Sequence, residues 1–570
     1  VQERLRVVRS TALAAGAAAL ALAAGGCGGG SSNSAASSQS GSGGSHRGGT
    51  MILLSNASWG TLDPAKNYTV LGFETAQYVS DGLVGFKRAA GKASTIIVPD
   101  LATTVPAPTD GGKTYVFHIR PGIRYSNGAT VKPSDFLTTF KRQFTVPGPA
   151  NGFYQGIVGG TQCAGKPATC DLSKGVIADD AAGTLTIHLT SPDPEFMDKL
   201  ALPFAVAVPA GTPSHDMGNT PIPGTGPYKW QYYRPNEGAL MVRNPYFHPW
   251  STDAQPPGNP DQIKFTFGLT VEDEVTEIEN GQADWMADAP PADRLNEMGT
   301  TYASQTHINP LTAIYYMALN VNIPPFNNLK ARQAINYGVN RKAYVTIFGG
   351  SALAQPSCQI LPPNFPGYSP YCPYTENPSS SGKWTAPNIA KARELVKQSG
   401  TQGASVAVVG TNDTVGKEIT LQFVQDLNRI GYHATAKLLS NAIQYGYIQD
   451  SDNHVQVGYS QWFQDYPAAS DFLNVLLGCP YFHPHSDASP NISGYCNPSI
   501  QAEMNHALKV GETDQASANT IWTDVDKRLT DQAGIVTLFN PNLVDFVSKR
   551  VGGYQYGLQS GFLFDLAWVR

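Results

Sequence analysis

The chain is predicted to fold as an α/β protein of two or three lobes, and two observations carry that expectation. A strand pattern at 404–409, a helical pattern at 415–430 closed by Gly431 and a second strand pattern at 432–439 follow one another. Their spacing is that of a βαβ unit, whose strands run parallel. About 520 residues follow a Gly/Ser-rich stretch near the start of the chain, more than one hydrophobic core organises.

Taken in order, the first segment is a leader. Arg4, Arg6 and Arg9 precede an apolar run from Thr11 to Leu22, and Ala23, Ala24, Gly25 and Gly26 then deliver Cys27. Basic, apolar and small residues in that order form an export signal, and the run falls short of the roughly 20 residues of a bilayer span. The arrangement resembles a bacterial lipoprotein signal, with Ala24 where leucine is usual. The resemblance implies that residues 1–27 are a signal peptide and that Cys27 is lipidated. Residues 28–49 are almost entirely Gly, Ser, Ala and Asn. Such a composition buries too little apolar surface to offset ordering, so a flexible tether is expected, with the folded body starting near Met51.

Within the body, 113–120 (KTYVFHIR) and 183–190 (GTLTIHLT) alternate as strands do, and Ser191-Pro192 closes the second. Pro133-Ser134 opens a helix running to about Phe144, Leu329 to Phe348 reads as one long helix, and Pro387 to Gln398 as another stopped by Gly400. Glu272, Asp273, Glu274, Glu277 and Glu279 precede Gly281 on a short helix, where a solvated face is expected. Gly224-Thr-Gly226-Pro-Tyr228 reads as a tight turn into a strand at 228–233.

Six further cysteines fall as three local pairs: Cys163 and Cys170, Cys358 and Cys372, Cys479 and Cys496. Six cysteines allow fifteen pairings, and spacing alone selects none. Neighbour pairing is the expectation, because no spacing is the C-x₂-C of a zinc ribbon and an exported chain meets an oxidising environment. His483 and His485 lie inside the last loop; a metal there needs further ligands, and surface histidines are the simpler reading.

A net charge of −5 with 15% charged residues leaves no basic footprint for nucleic acid. The 26 Tyr, 23 Phe and 8 Trp supply both cores and apolar ligand walls. No His-Glu-x-x-His, Gly-x-Ser-x-Gly or Gly-x-Gly-x-x-Gly occurs. Gly112-Lys113-Thr114 ends like a phosphate loop, but Ala107 replaces its first glycine and a strand follows, so a hairpin turn is expected.

Leu62-Asp63-Pro64-Ala65, the run from Asp81 to Phe86, the run from Tyr115 to Gly128, Gly224 to Tyr228 and Gly281 to Asp284 come in sequence. Asn320 to Pro325, Ala331 to Ile335, Asn340-Arg341 and Trp462-Phe-Gln-Asp465-Tyr466-Pro467 follow. In that order they resemble the peptide/nickel class of solute-binding proteins of ABC importers, extracellular solute-binding family 5. The resemblance covers nearly all of the chain from Met51 on. It implies a two-lobed periplasmic-binding-protein-like fold of type II with a small additional domain on the first lobe. Lobe one would take 50–82, 209–306 and 535–570, the accessory domain 83–208 and lobe two 307–534.

The resemblance further implies a monomeric carrier with no enzymatic activity and no cofactor. It would be lipid-anchored on the extracytoplasmic face of the cell membrane, enclosing a peptide between its lobes and presenting it to permease subunits. In peptide-binding members the aspartate of a Trp-x-x-Asp-Tyr motif pairs with the ligand's α-ammonium, a role that falls on Asp465, with Trp462 and Tyr466 as cleft walls. A buried carboxylate needs such a cation. Otherwise Asp465 caps a turn, and its aromatic neighbours are packing residues. The resemblance also places a strand edge that pairs with peptide backbone at Ser58, Trp59 and Gly60. Two other classes stay open: the same fold binding a metal chelate, haem or an oligosaccharide, and a secreted hydrolase or peptide sensor.

Overall fold

Two large mixed sheets organise the computed structural model of the chain, which describes residues 46–148 and 150–570. The leader, Cys27 and most of the expected tether lie outside the described residues. Among the described residues no helix is long and apolar enough to cross a membrane.

The first sheet has five strands in the order Trp285–Met286, Thr50–Ser55, Gln262–Phe267, Gly238–Arg243, Tyr228–Arg234. Thr50–Ser55 pairs parallel with both neighbours, and the other pairings are antiparallel. Met51, Leu53, Ile263 and Phe265 bury one face against Tyr78, Phe562 and Phe564. The Gly224-Thr-Gly turn that enters this sheet lies against the end of the Val70–Val79 helix, and Gly226 N donates to Val79 O at 3.1 Å. A Cβ at Gly224 would stand 1.9 Å from Val79 O. Glycine is required there by close approach of two backbones, a reason beyond turn formation.

A three-stranded antiparallel sheet of Thr114–His118, Thr184–His188 and Val176–Asp179 forms a smaller layer. The two strands legible by alternation pair with each other, Thr114 opposite His188. Phe117, Leu185 and Ile187 pack under Phe136 and Phe140 of the Pro133–Thr145 helix.

The second large sheet has seven strands and contains the predicted βαβ unit. Ser405–Thr411 and His433–Leu439 are parallel, joined by the Thr414–Ile430 helix. Asp413 caps that helix by accepting from Gly416 N, and Gly431 ends it in the left-handed region at φ 111°. The rest of the sheet is largely antiparallel, through Ala313–Leu319, Val457–Phe463 and Ile535–Phe546.

Three expectations need correction. Ile535–Phe546 is one twelve-residue, mostly buried strand of the second sheet, so the return to the first sheet begins at about Val547 rather than at 535. The helix expected over 329–348 is two, Leu329–Gly338 and Arg341–Ile347. At the break Asn340 N donates to Asp426 Oδ2 at 3.1 Å, and the buried Arg341 guanidinium donates to Thr537 O and Asn336 O. Apolar periodicity continues across that junction and conceals it. On the acidic Val271–Glu279 helix, Glu272 and Asp273 are exposed but Glu274 is fully buried. Burial, with the charge of Asp288 adding, pushes its carboxyl up to about 8.

Disulfides join Cys163 to Cys170, Cys358 to Cys372 and Cys479 to Cys496. His483 is held by the carbonyls of Ala488 and Pro480, and His485 meets Asp452. Among the described residues no group of three or more potential ligands could hold a metal.

Candidate ligand-binding cavity

Between the Val70–Val79 helix of the first sheet and the second sheet lie two adjoining chambers. The larger, roughly 610 Å³, is walled by Tyr68, Val70 and Phe73 on one side and by Tyr315, Tyr445, Tyr459 and Trp462 on the other. The smaller, roughly 170 Å³, is lined by Glu74, Gln77, Arg88, Tyr556 and Gln559 among others. Val70, Phe73, Phe463, Gln464 and Asp465 line both. Aromatic walls with a few convergent polar groups suit a small organic ligand.

Asp465 stands on the shared wall because Val457–Phe463 leaves the sheet here and the chain turns into the Ser470–Leu477 helix. Its placement is over-determined. Its N–H donates to Asp471 Oδ2 at 2.9 Å, its carbonyl accepts from Gln559 Nε2 at 3.0 Å, and its Oδ1 accepts from the Tyr68 hydroxyl at 2.6 Å. Asp465 is 8% exposed, and among the described residues it has no ion-pair partner. Burial pushes its carboxyl up to about 7, with the Tyr68 hydroxyl pulling the other way. Burial and the Asp465 charge hold Asp471 well above the usual carboxylate range, while the Asp465 N–H and the nearby Trp462 indole oppose them.

The remaining predicted residues separate. Trp462 lines the larger chamber. Tyr466 lines neither chamber: it is buried in the core of the smaller sheet, and its hydroxyl donates to Glu195 Oε2 at 3.2 Å. Trp59 is a core residue too, with Trp230, Tyr233, Phe265 and Phe267 at ring-centroid distances of 5.8, 5.0, 5.1 and 5.2 Å. Ser58 and Gly60 line neither chamber. Tyr68, Phe73, Glu74 and Gln559 escaped sequence reasoning. Tyr68 lies 397 residues from Asp465, and no local pattern links them.

Two α/β bodies enclose a ligand-sized cavity, with the Asp465 carboxyl fixed on the wall that its two chambers share. The family described as bacterial extracellular solute-binding proteins, family 5, middle region, matches residues 97–483. The chain belongs to this family, whose members bind solutes rather than catalyse reactions. It is 24% identical over 462 residues to the periplasmic oligopeptide-binding protein OppA of Escherichia coli K12, covering 78% of this chain and 79% of that one. It is 23% identical over 526 residues to the glutathione-binding protein GsiB of Pectobacterium atrosepticum, covering 90% and 93%.

Among solved structures, clavulanic acid biosynthesis oligopeptide binding protein 2 superposes with a TM-score of 0.82 at 22% identity, covering 92% of this chain and 96% of that one. The periplasmic binding protein DppA from Helicobacter pylori, in complex with peptide STSA, superposes with a TM-score of 0.71 at 20% identity, covering 92% and 99%. The fold is that of the type II periplasmic binding proteins.

Proposed function

We propose that this chain is a lipid-anchored extracytoplasmic carrier that captures dipeptides or oligopeptides between two lobes and delivers them to the permease of an ABC importer. One observation carries the reading: Asp465 is a buried carboxylate with no cation beside it among the described residues, on the wall common to both chambers. A free α-ammonium supplies the missing charge and several hydrogen-bond donors. The relatives named for peptides support the ligand class, and the Arg-led apolar segment ending at Cys27 supports export and acylation. Residues 50–82, 209–306 and about 547 onward form lobe one, 83–208 the accessory domain and 307–546 lobe two. Closure of the lobes draws its energy from the ligand's better contacts with the closed state.

The test is a calorimetric titration with short peptides and their N-acetylated copies. Free-amine peptides bind and acetylated ones do not, and Asp465→Asn weakens binding by about 2–5 kcal/mol, as breaking one side of a buried charge pair does. Equal binding of both peptide forms, or unchanged affinity in a folded Asp465→Asn variant, removes the ammonium site.

A further inference from the structure

The charged groups of the smaller chamber are not equivalent. Asp81 accepts from Thr225 Oγ1 at 2.5 Å, from the Gln255 side chain and, through its carbonyl, from Ala207 N. Asp100 accepts from Trp250 Nε1 at 2.9 Å. Arg88 is held by Asp565 at 3.0 Å and lies 4.4 Å over the Tyr78 ring. Glu74 differs from all of these. It projects from the middle of the Val70–Val79 helix into the chamber wall, and among the described residues its carboxylate has neither a hydrogen-bond donor nor a cation. Space for it is kept by Gly561, at φ +69°, where a Cβ would stand 2.0 Å from Glu74 Oε1. Burial, with the charge of Asp545 adding, pushes the Glu74 carboxyl up to about 8. The chamber therefore presents a second carboxylate in need of a cation, in the same lining as Asp465.

We propose that Glu74 makes the smaller chamber a subsite for a basic side chain, so that this protein prefers peptides carrying Arg or Lys at or next to the residue whose ammonium meets Asp465. The inference rests on the peptide-carrier reading and adds the ligand's chemistry to it. Three features fit. A volume of roughly 170 Å³ suits one long side chain, and the larger chamber takes the rest of the peptide. Arg88, the chamber's own cation, is engaged by Asp565 and leaves Glu74 for the ligand. A guanidinium also has donors to spare for the Gln77 side-chain carbonyl, since Gln77 uses its amide nitrogen on Ser560 O at 3.1 Å. The same pair of carboxylates repels an acidic side chain, which gives selectivity by exclusion.

The experiment titrates the full chain with Arg-Ala-Ala, Ala-Arg-Ala, Ala-Ala-Ala and Glu-Ala-Ala, each also N-acetylated, and repeats the series with Glu74→Gln. At least one arginine peptide binds about tenfold or more tightly than Ala-Ala-Ala, Glu-Ala-Ala binds most weakly, and in Glu74→Gln the arginine-to-alanine ratio falls to about one. A wild-type chain that binds the arginine and alanine peptides equally overturns the basic subsite without reference to any variant. A ratio that persists in a folded Glu74→Gln protein overturns the assignment to Glu74. The carrier reading fails separately, when no free-amine peptide binds. An arginine preference shared by acetylated and free peptides would keep the subsite and remove the ammonium site.

Discussion

Asp465 is buried and Glu74 half-buried, neither has a countercharge among the described residues, and each therefore works against folding in the absence of ligand. The sign follows from proton counts. A carboxyl whose folded pKa lies above its unfolded value, about 3.9 for Asp and about 4.3 for Glu, binds more protons in the folded state between the two values. Stability is thus highest below the unfolded value and is lost as pH rises through about 7 for Asp465 and about 8 for Glu74. The groups facing Asp465 are Tyr68, Tyr445 and Asp471, none of them cationic, so nothing on the opposing elements reverses the sign. Asp465→Asn should accordingly raise the melting temperature of the ligand-free protein at pH 8 and flatten its decline between pH 4 and 8. The gain is at most about 4 kcal/mol, three units at 1.36 kcal/mol each. A variant that melts lower than wild type at pH 8 would contradict the account. At this scale the motif around Asp465 was legible because it is contiguous. Glu74 was not, since one glutamate on a helix reads the same whether it faces solvent or a chamber.

Among the elements, the Val70–Val79 helix carries Phe73 and Glu74 into the cavity, and the glycines at 224 and 226 set how closely it approaches the first sheet. Gly224→Ala places a methyl group against Val79 O, a backbone atom that moves only with its helix. Denaturant unfolding of that variant should show a loss of about 1–3 kcal/mol, and peptide binding should weaken as the helix shifts. Stability equal to wild type would mean that the contact relaxes without cost. The βαβ unit, the hairpin of the smaller sheet and the helix caps were readable from spacing and capping residues, because local chemistry decides them. The division of 329–348 into two helices was not readable, since it depends on Asp426 and Thr537, which only tertiary folding brings to Asn340 and Arg341.

Across the whole molecule, Glu195 of the smaller layer receives hydrogen bonds from Tyr466 and Ser470, and so ties that layer to the loop that carries Asp465. Away from this contact, Cys358–Cys372 closes a segment of irregular chain beside the second sheet. Replacing both cysteines by alanine should cost about 2–3 kcal/mol by freeing a loop of sequence separation 14 in the unfolded chain. Calorimetric melting measures this, and an unchanged transition would show that the loop is ordered without the bond. By itself, the sequence determined the family, the α/β class, the neighbouring cysteines and the contiguous motif whose Trp462 and Asp465 line the cavity, because motifs, periodicity and loop chemistry are written in contiguous residues. Tertiary structure alone decided that Tyr466 and Trp59 are core, that Ile535–Phe546 joins the second sheet, and that Tyr68 and Glu74 face the cavity. Those outcomes depend on which distant surfaces exclude water from one another, and a linear pattern holds no record of that pairing.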